Sequence, residues 1–194
     1  MTVRIRRLSS SQVDFDERLA ALTALDSALS HDVESTVRTI VDDVRVRGDV
    51  AVLDYTARFD GIHAKTLRDL EIPQSQLLRA IERIDKDLRA ALEVSAKRIR
   101  MFHERQIANS WDVTEADGTR LGQRVLPLRR VGVYVPGGRA AYPSTVLMNV
   151  IPAKIAGVND VLMVSPTPQG APNDLVLAAA AIAGVDRVLT IGGA

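Results

Sequence analysis

The sequence predicts an α/β fold in which a helical amino-terminal region with a β-hairpin precedes a parallel β-α-β-α-β unit. Two observations support this prediction. Between residues 15 and 107, apolar residues recur at intervals of three and four, which is typical of amphipathic helices. After Pro127 the pattern changes to short apolar strands that alternate with helical segments. We therefore predict a mainly helical region over residues 1–127 and a second domain over residues 128–194.

Five amphipathic helices are predicted in the first region, each from its own apolar stripe. Asp49 is expected to cap the third helix, with Val50, Leu53 and Phe59 on its inward side, and Gly61 to end it. Pro73 suits the start of the fourth helix, because its fixed φ matches the first helical turn. The stripes cover residues 15–29, 33–44, 50–59, 77–84 and 88–102.

Strands are few in the first region. Residues 70–72 are predicted to form a short strand. Residues 111–114 and 120–126 flank Asp117-Gly118, a dipeptide that favours a tight turn with positive φ. These two segments therefore predict a β-hairpin.

Helices and strands alternate in the second domain. Ser144 is expected to cap the first helix there, and Pro152 inside that helix is expected to kink or divide it. Asn173 or Asp174 starts a second helix that ends at Gly184. Strands joined by helices run parallel, because such a connection returns the chain to the same end of the sheet. The predicted strands are 131–135, 160–164 and 187–191.

Composition excludes several functional classes. The 24 acidic residues nearly balance the 25 basic ones, and the net charge of +1 gives no basic patch for nucleic acid. Cysteine is absent, which excludes disulfides, thiolate nucleophiles and cysteine-ligated metals. No apolar run approaches the length of a membrane span, and no secretory leader is recognisable. We therefore expect a cytoplasmic location, with no membrane partner.

Candidate site residues follow the first strand of the second domain. Gly137 and Gly138 come directly after Pro136, at the carboxyl end where parallel sheets bind their ligands. They favour an ordinary strand-to-helix turn, with close approach to a nucleotide as the alternative. Alternation places Tyr134 on the opposite face from Val133. Its side chain either contacts a cofactor or is a half-buried part of the core.

Other candidates are weaker. Ser165 and Thr167 offer hydroxyls after the second strand, although loop stiffening by the neighbouring prolines is the favoured interpretation. His31, His63 and His103 have no metal-ligand spacing. Neither the glycine fingerprint of dinucleotide-binding sheets nor the Walker pattern is present. From these residues alone we predict part of a binding site, with no catalytic residue and no metal ligand.

Several motifs in this order are similar to those of histidinol dehydrogenases. The similarity covers nearly the whole chain and is weakest over the first 30 residues. The motifs are Val44-Arg-Val-Arg-Gly-Asp49, Asp54-Tyr-Thr-Ala-Arg-Phe-Asp60, Ile99-Arg-Met-Phe-His-Glu-Arg-Gln106, Val131-Gly-Val-Tyr-Val-Pro-Gly-Gly138, Tyr142-Pro-Ser-Thr-Val-Leu-Met-Asn149, Pro152-Ala-Lys-Ile-Ala-Gly157, Val164-Ser-Pro-Thr-Pro168 and Ile191-Gly-Gly-Ala194.

The resemblance implies a fold, a reaction and two cofactors. The fold would be an incomplete Rossmann-like unit, related to that of aldehyde dehydrogenases. The reaction would be the NAD-dependent oxidation of L-histidinol to L-histidine in histidine biosynthesis, with a bound zinc ion, in a homodimer. Tyr134 matches the tyrosine of the family that contacts NAD, and Gly137 and Gly138 lie beside it.

The resemblance also implies that this chain corresponds to the amino-terminal part of the enzyme. The family's zinc ligands and its proton-handling Glu-His pair match no position before Ala194. We therefore expect no zinc site and no dehydrogenase turnover from these residues alone. Two alternatives stay open: another aldehyde dehydrogenase-like oxidoreductase, and a non-catalytic module that binds a nucleotide or dimerises.

Overall fold

The helices and strands were located in a computed structural model. The chain forms two compact units, Met1–Val46 and Arg47–Ala194. For residues 27–31 only the backbone is described. The structure describes residues 7–23, 27–137, 141–167 and 172–193.

Helices and strands of the described residues largely follow the predicted pattern. The helices are α1 (Phe15–Thr23), α2 (Ser27–Arg47), α3 (Asp49–Asp60), α4 (Gln74–Arg83), α5 (Lys86–His103), α6 (Pro143–Ile155) and α7 (Asp174–Ala183). The strands are β1 (Glu71–Ile72), β2 (Trp111–Thr114), β3 (Arg120–Gln123), β4 (Arg130–Tyr134), β5 (Asp160–Val164) and β6 (Arg187–Leu189).

The buried side of α3 differs from the prediction. Val50 and Phe59 are exposed, at 58% and 46%, whereas Ala51 and Thr56 are completely buried. The predicted inward face is therefore wrong for Val50 and Phe59, whereas Leu53 is half-buried and packs in the second core cluster. The reason is that a stripe of large apolar residues marks a helix but does not fix its rotation against a sheet. The cap is also different, since Gly48 is the N-cap and Asp49 the first helical residue.

The caps of the two later helices were predicted with mixed success. Ser144 lies inside the first turn of α6, so the predicted cap there is wrong. Pro143 begins the helix instead, where its missing N–H costs nothing. Pro152 lies within α6, which continues from Pro143 to Ile155, so this proline does not divide the helix; the kink stays a prediction. Of the two residues predicted to start α7, Asn173 is the cap, because its side-chain oxygen accepts hydrogen bonds from two backbone N–H groups. Gly184 ends the helix with φ 86°, as predicted.

A four-stranded mixed sheet organises the larger unit, with strand order β1-β6-β5-β4. The pairs β4–β5 and β5–β6 are parallel, as predicted, and β1 joins the edge of β6 antiparallel. The three parallel strands follow one another in a single direction across the sheet. Right-handed crossovers then place α6 and α7 on the same face. The structure shows this, because both helices contribute to one hydrophobic core.

The sheet has two unequal faces. The helix-covered face carries Val133, Met163 and Val188, which pack in one core with α4, α5, α6 and α7. The open face carries Tyr134 and Leu162, and its cover is much lighter. There α3 and residues 62–70 pack against the apolar side chains Leu162, Val164, Leu189 and Ile191. The core of the molecule therefore lies mainly on one side of the sheet.

The predicted β-hairpin is confirmed. Strands β2 and β3 pair antiparallel from Trp111 opposite Gln123 to Thr114 opposite Arg120, and Gly118 has φ 88° in the turn. Strand β3 ends at Gln123, three residues before the predicted end at Leu126. All residues of both strands are exposed.

The amino-terminal unit is more exposed than its stripes suggested. Among residues 7–23 and 32–46, no side chain is buried. Val33 and Val37, from the second stripe, are 62% and 52% exposed. Within the described ranges, no helix has both the length and the apolarity needed to cross a membrane.

Candidate functional site

The candidate site lies at the carboxyl ends of β4, β5 and β6. Three segments leave the sheet there, and we refer to them as the strand-end loops. They are residues 135–137, 165–167 and 190–193 within the described ranges. Backbone hydrogen bonds continue between them, from Val135 N–H to the carbonyl of Val164 (2.9 Å) and from Ser165 N–H to that of Leu189 (3.1 Å). The loops thus begin in register with one another.

Tyr134 is the last residue of β4 and lies on the open face. It is 54% exposed, whereas its neighbours Val133 and Val135 are 6% and 0% exposed on the helix-covered face. The predicted alternation is therefore confirmed, and the interpretation of Tyr134 as a core residue is not supported. Opposite it in β5 lies Val164, which is half-buried. An aromatic ring in this position is available for stacking or for a hydrogen bond from its hydroxyl.

The strand-end glycines are explained first by packing between the loops. A Cβ on Gly137 would lie 1.8 Å from the carbonyl oxygen of Pro166, and one on Gly192 would lie 2.2 Å from the Cβ of Pro166. Pro166 is therefore wedged between the first and third strand-end loops, and both glycines are needed for that contact. Gly138 lies outside the described residues. A ligand role for the two predicted glycines stays a prediction.

The second strand-end loop contains a hydroxyl without a partner. Thr167 is only 5% exposed, and its Oγ1 has no hydrogen-bond partner among the described residues. Ser165 is also buried, at 8% exposure. Because a buried polar group without a partner is costly, the Thr167 hydroxyl is a candidate donor or acceptor for a bound molecule. Both hydroxyls were candidates from the sequence, where stiffening of the loop by the neighbouring prolines was the favoured interpretation.

Two residues at the end of α3 join the site, and the sequence analysis did not identify them as site residues. Asp60 accepts a hydrogen bond from the backbone N–H of Gly192 (3.2 Å), across 132 positions of sequence. Phe59 lies against Gly193, where a Cβ would approach its ring to 2.6 Å. Phe59 also stacks on Tyr55 with ring centroids 5.7 Å apart. The only sequence signal for these residues was their place in a family-like motif.

No metal centre is found in the part of the chain that the structure describes. It contains no group of three or more His, Asp or Glu side chains able to hold a metal ion. His63 is exposed, and His103 shares a hydrogen bond with Gln106 (2.6 Å). The side chain of His31 lies outside the described residues. The residues described here therefore do not fit a zinc site.

Two ion pairs lie near the start of β6, between Lys154 and Asp186 and between Arg187 and Glu71. Burial raises the pKa of Asp186. Hydrogen bonds from the Lys154 ammonium (2.5 Å) and the Val161 N–H (2.6 Å) lower this pKa by a larger amount, so the net shift is downward. The Arg187 guanidinium donates to the Glu71 carboxylate and lowers its pKa. These pairs connect strands and helices and lie away from the strand-end loops.

The fold is that of an α/β protein whose sheet contains three parallel strands. Its interlocked strand-end loops lie at the carboxyl end of these strands, where such sheets bind ligands. The family model for histidinol dehydrogenase matches residues 25–194. The chain belongs to the histidinol dehydrogenase family, a family of oxidoreductases of histidine biosynthesis.

Individual relatives agree with this assignment. Histidinol dehydrogenase of Nitrosospira multiformis is 53% identical over 192 residues, which is 99% of this chain and 44% of the relative. That of Burkholderia pseudomallei strain 1710b is 54% identical over 198 residues, with 100% of this chain and 44% of the relative covered. The chain thus spans less than half the length of these relatives.

A solved structure also matches. The crystal structure of histidinol dehydrogenase from Elizabethkingia anophelis superposes with a TM-score of 0.72 at 28% identity. The match covers 82% of this chain and 36% of that chain. The fold described above is therefore similar to that of part of a histidinol dehydrogenase.

Proposed function

We propose that this chain supplies the NAD-holding part of a histidinol dehydrogenase, which oxidises L-histidinol to L-histidine. The observation that carries the proposal is Tyr134, an exposed aromatic residue on the open face at the carboxyl end of a parallel strand. The family assignment supports the reaction. A Rossmann-like description of β4, β5 and β6 is part of the same proposal.

The residues present fit a dinucleotide in two respects. Tyr134 offers a ring on which a base or nicotinamide can stack, and the Thr167 hydroxyl offers an unused hydrogen-bonding group. NAD, when bound, accepts the hydride that the substrate loses. The role of this chain is to hold and orient the cofactor and to exclude water around it. The interlocked loops around Pro166 provide a rigid support for that task.

The described residues do not fit a zinc ion. The family's zinc ion, the L-histidinol site and the catalytic residues would belong to sequence that the relatives have beyond the matched 44%. We therefore propose that residues 1–194 alone show no turnover. A homodimer and a cytoplasmic location complete the proposal.

The test is a calorimetric titration of the purified chain and of its Tyr134→Ala variant with NAD. Stacking of a base on an aromatic ring is worth about 1–3 kcal/mol, so we expect the variant to bind NAD about tenfold more weakly. Trp111→Ala is the matched control, because Trp111 is a similarly exposed aromatic residue on the hairpin. Equal affinity of the wild type and Tyr134→Ala would contradict the proposed site.

A second assay addresses turnover. The chain is mixed with NAD and L-histidinol, and the absorbance of NADH is followed. We expect no NADH above background. Sustained NADH production by the 194-residue chain would show that a catalytic centre exists within it, against the proposal. NAD binding without turnover is also what a non-catalytic nucleotide-binding module would show. The family assignment favours the dehydrogenase.

A further inference from the structure

Asp60 makes a contact that its own helix does not explain. It is the last residue of α3, and its carboxylate accepts the hydrogen bond from Gly192 N–H at 3.2 Å. The carboxyl end of a helix carries partial negative charge, which disfavours an acidic side chain there. Helix α3 therefore gains nothing electrostatically from an aspartate at this position. The observed partner of the Asp60 carboxylate is the loop that it reaches.

That loop is the Gly192-Gly193 turn, which begins three residues after the end of β6. Pro166 lies against Gly192 on one side, and Phe59 lies against Gly193 on another. These apolar contacts restrict where the turn can lie, but they do not fix the direction of its amide groups. A hydrogen bond to one N–H does fix that direction. Asp60 therefore sets the orientation of the peptide groups at the third strand-end loop.

We propose that Asp60 is a positioning residue for NAD, because it holds the Gly192-Gly193 turn in the form that meets the cofactor. The inference rests on the proposed function, since it assumes that NAD binds at the strand-end loops. Asp60 acts through the turn and need not touch the cofactor itself. A turn that is already ordered does not have to lose conformational freedom when NAD binds, so affinity rises.

Three variants test this inference. Asp60→Ala removes the acceptor. Asp60→Asn keeps an acceptor oxygen and removes the charge. Asp54→Ala is the matched control, because Asp54 is another carboxylate on α3 and forms only an exposed ion pair with Arg47 in the described residues (2.7 Å). Each protein is titrated with NAD, and the exchange rates of the Gly192 and Gly193 amide protons are measured by NMR.

We expect Asp60→Ala to bind NAD at least fivefold more weakly and to exchange the Gly192 amide at least tenfold faster. Asp60→Asn and Asp54→Ala are expected to stay within twofold of the wild type in both measurements. Unchanged affinity in Asp60→Ala would overturn the inference. So would a loss of affinity in Asp60→Asn with normal exchange at Gly192, because charge rather than the hydrogen bond would then be responsible.

The two proposals fail in different ways. If the wild type does not bind NAD, the proposed cofactor site fails, and Asp60 loses its role for NAD with it. Amide exchange then still reports whether Asp60 orders the turn. If Asp60→Ala does not fold, the wild-type Gly192 amide decides. Protection of this amide supports the hydrogen bond, and exchange at the rate of a free amide overturns the inference.

Discussion

The two faces of the sheet, formed by the same strands, differ in how deeply their side chains are buried. On the helix-covered face, Val133, Val161 and Met163 are between 0% and 6% exposed beneath four helices. On the open face, Leu162 is only half-buried and Tyr134 is 54% exposed. Successive residues of a strand point to opposite faces, so one strand serves both. One face thus forms most of the core, and the other leaves Tyr134 exposed.

This asymmetry has a topological cause. Because β4, β5 and β6 follow each other in one direction, both crossover helices lie on the same side. The opposite side receives only α3 and residues 62–70. A sheet whose strand order reversed would place helices on both faces and a crevice between them. In this chain, the end of α3 provides one wall of the candidate site instead.

The largest difference between the faces should appear in neighbouring residues of β5. Met163→Ala should lower the free energy of unfolding by about 2–5 kcal/mol, because Met163 is completely buried beneath the helices. Leu162→Ala, on the open face, should cost clearly less, since half-burial leaves less apolar surface to lose. Urea denaturation measures both values. Equal costs would show that the open face is as important for stability as the covered one.

Glycines provide the next comparison. Gly137→Ala places a methyl group 1.8 Å from the Pro166 carbonyl oxygen, so the loops must shift, at a cost of about 1–3 kcal/mol. The control is Gly132→Ala on β4, where a Cβ meets nothing within 4 Å. It should change stability by less than about 0.5 kcal/mol. A stable Gly137→Ala protein would mean that the strand-end loops are not interlocked.

A smaller effect concerns the ion pair between Lys154 of α6 and Asp186, the residue before β6. The folded-state pKa of Asp186 is lowered, so its stabilisation is present above the unfolded value of about 3.9 and is lost as the pH falls through the folded value. Lys154→Met should therefore flatten the loss of stability between about pH 5 and pH 3. Because both side chains are partly exposed, the effect at neutral pH should be about 1 kcal/mol or less.

Thermal unfolding at a series of pH values measures this effect. Arg89→Met is the control, because its partner Glu93 is an exposed neighbour on the same helix. The control should follow the wild-type pH profile. Parallel profiles for the wild type and Lys154→Met would show that this pair does not fasten α6 to the strands.

The smallest expected effect on stability is that of Tyr134→Ala. Its side chain is 54% exposed, so its removal should change the free energy of unfolding by less than about 0.5 kcal/mol. Loss of NAD affinity without loss of stability would separate the two faces most clearly. If the variant instead unfolds easily, Tyr134 is part of the core and the open face is not a binding surface.

Much of this fold could be predicted from local sequence. Strand β5 was predicted with its bounds at Asp160 and Val164, and the start of α7 was predicted to within one residue, at Asn173 or Asp174. Asp117-Gly118 fixed the hairpin turn. Such features depend on neighbours within a few residues, so a short segment of sequence is enough to predict them. The rotation of α3 was not predictable in this way, because the sheet it packs on is formed by distant strands.

The site divides in the same manner. Alternation predicted that Tyr134 faces away from Val133, and the structure agrees. The wedge of Pro166 between Gly137 and Gly192 was not predictable, because it joins loops from three strands. A pair of glycines gives the same sequence signal whether it admits a ligand or a proline. Only the position of the neighbouring loop distinguishes the two.

The sequence by itself determined the order and type of the elements, the side from which Tyr134 projects, and the family. The elements and the side of Tyr134 follow from hydrophobic periodicity, caps and turn residues, which act over a few positions. The family follows from the resemblance of the motifs. The tertiary structure alone decided which face of the sheet stays open and that Asp60 reaches Gly192 across 132 positions. Those outcomes depend on the order of strands in the sheet, which brings distant segments together and which no local pattern encodes.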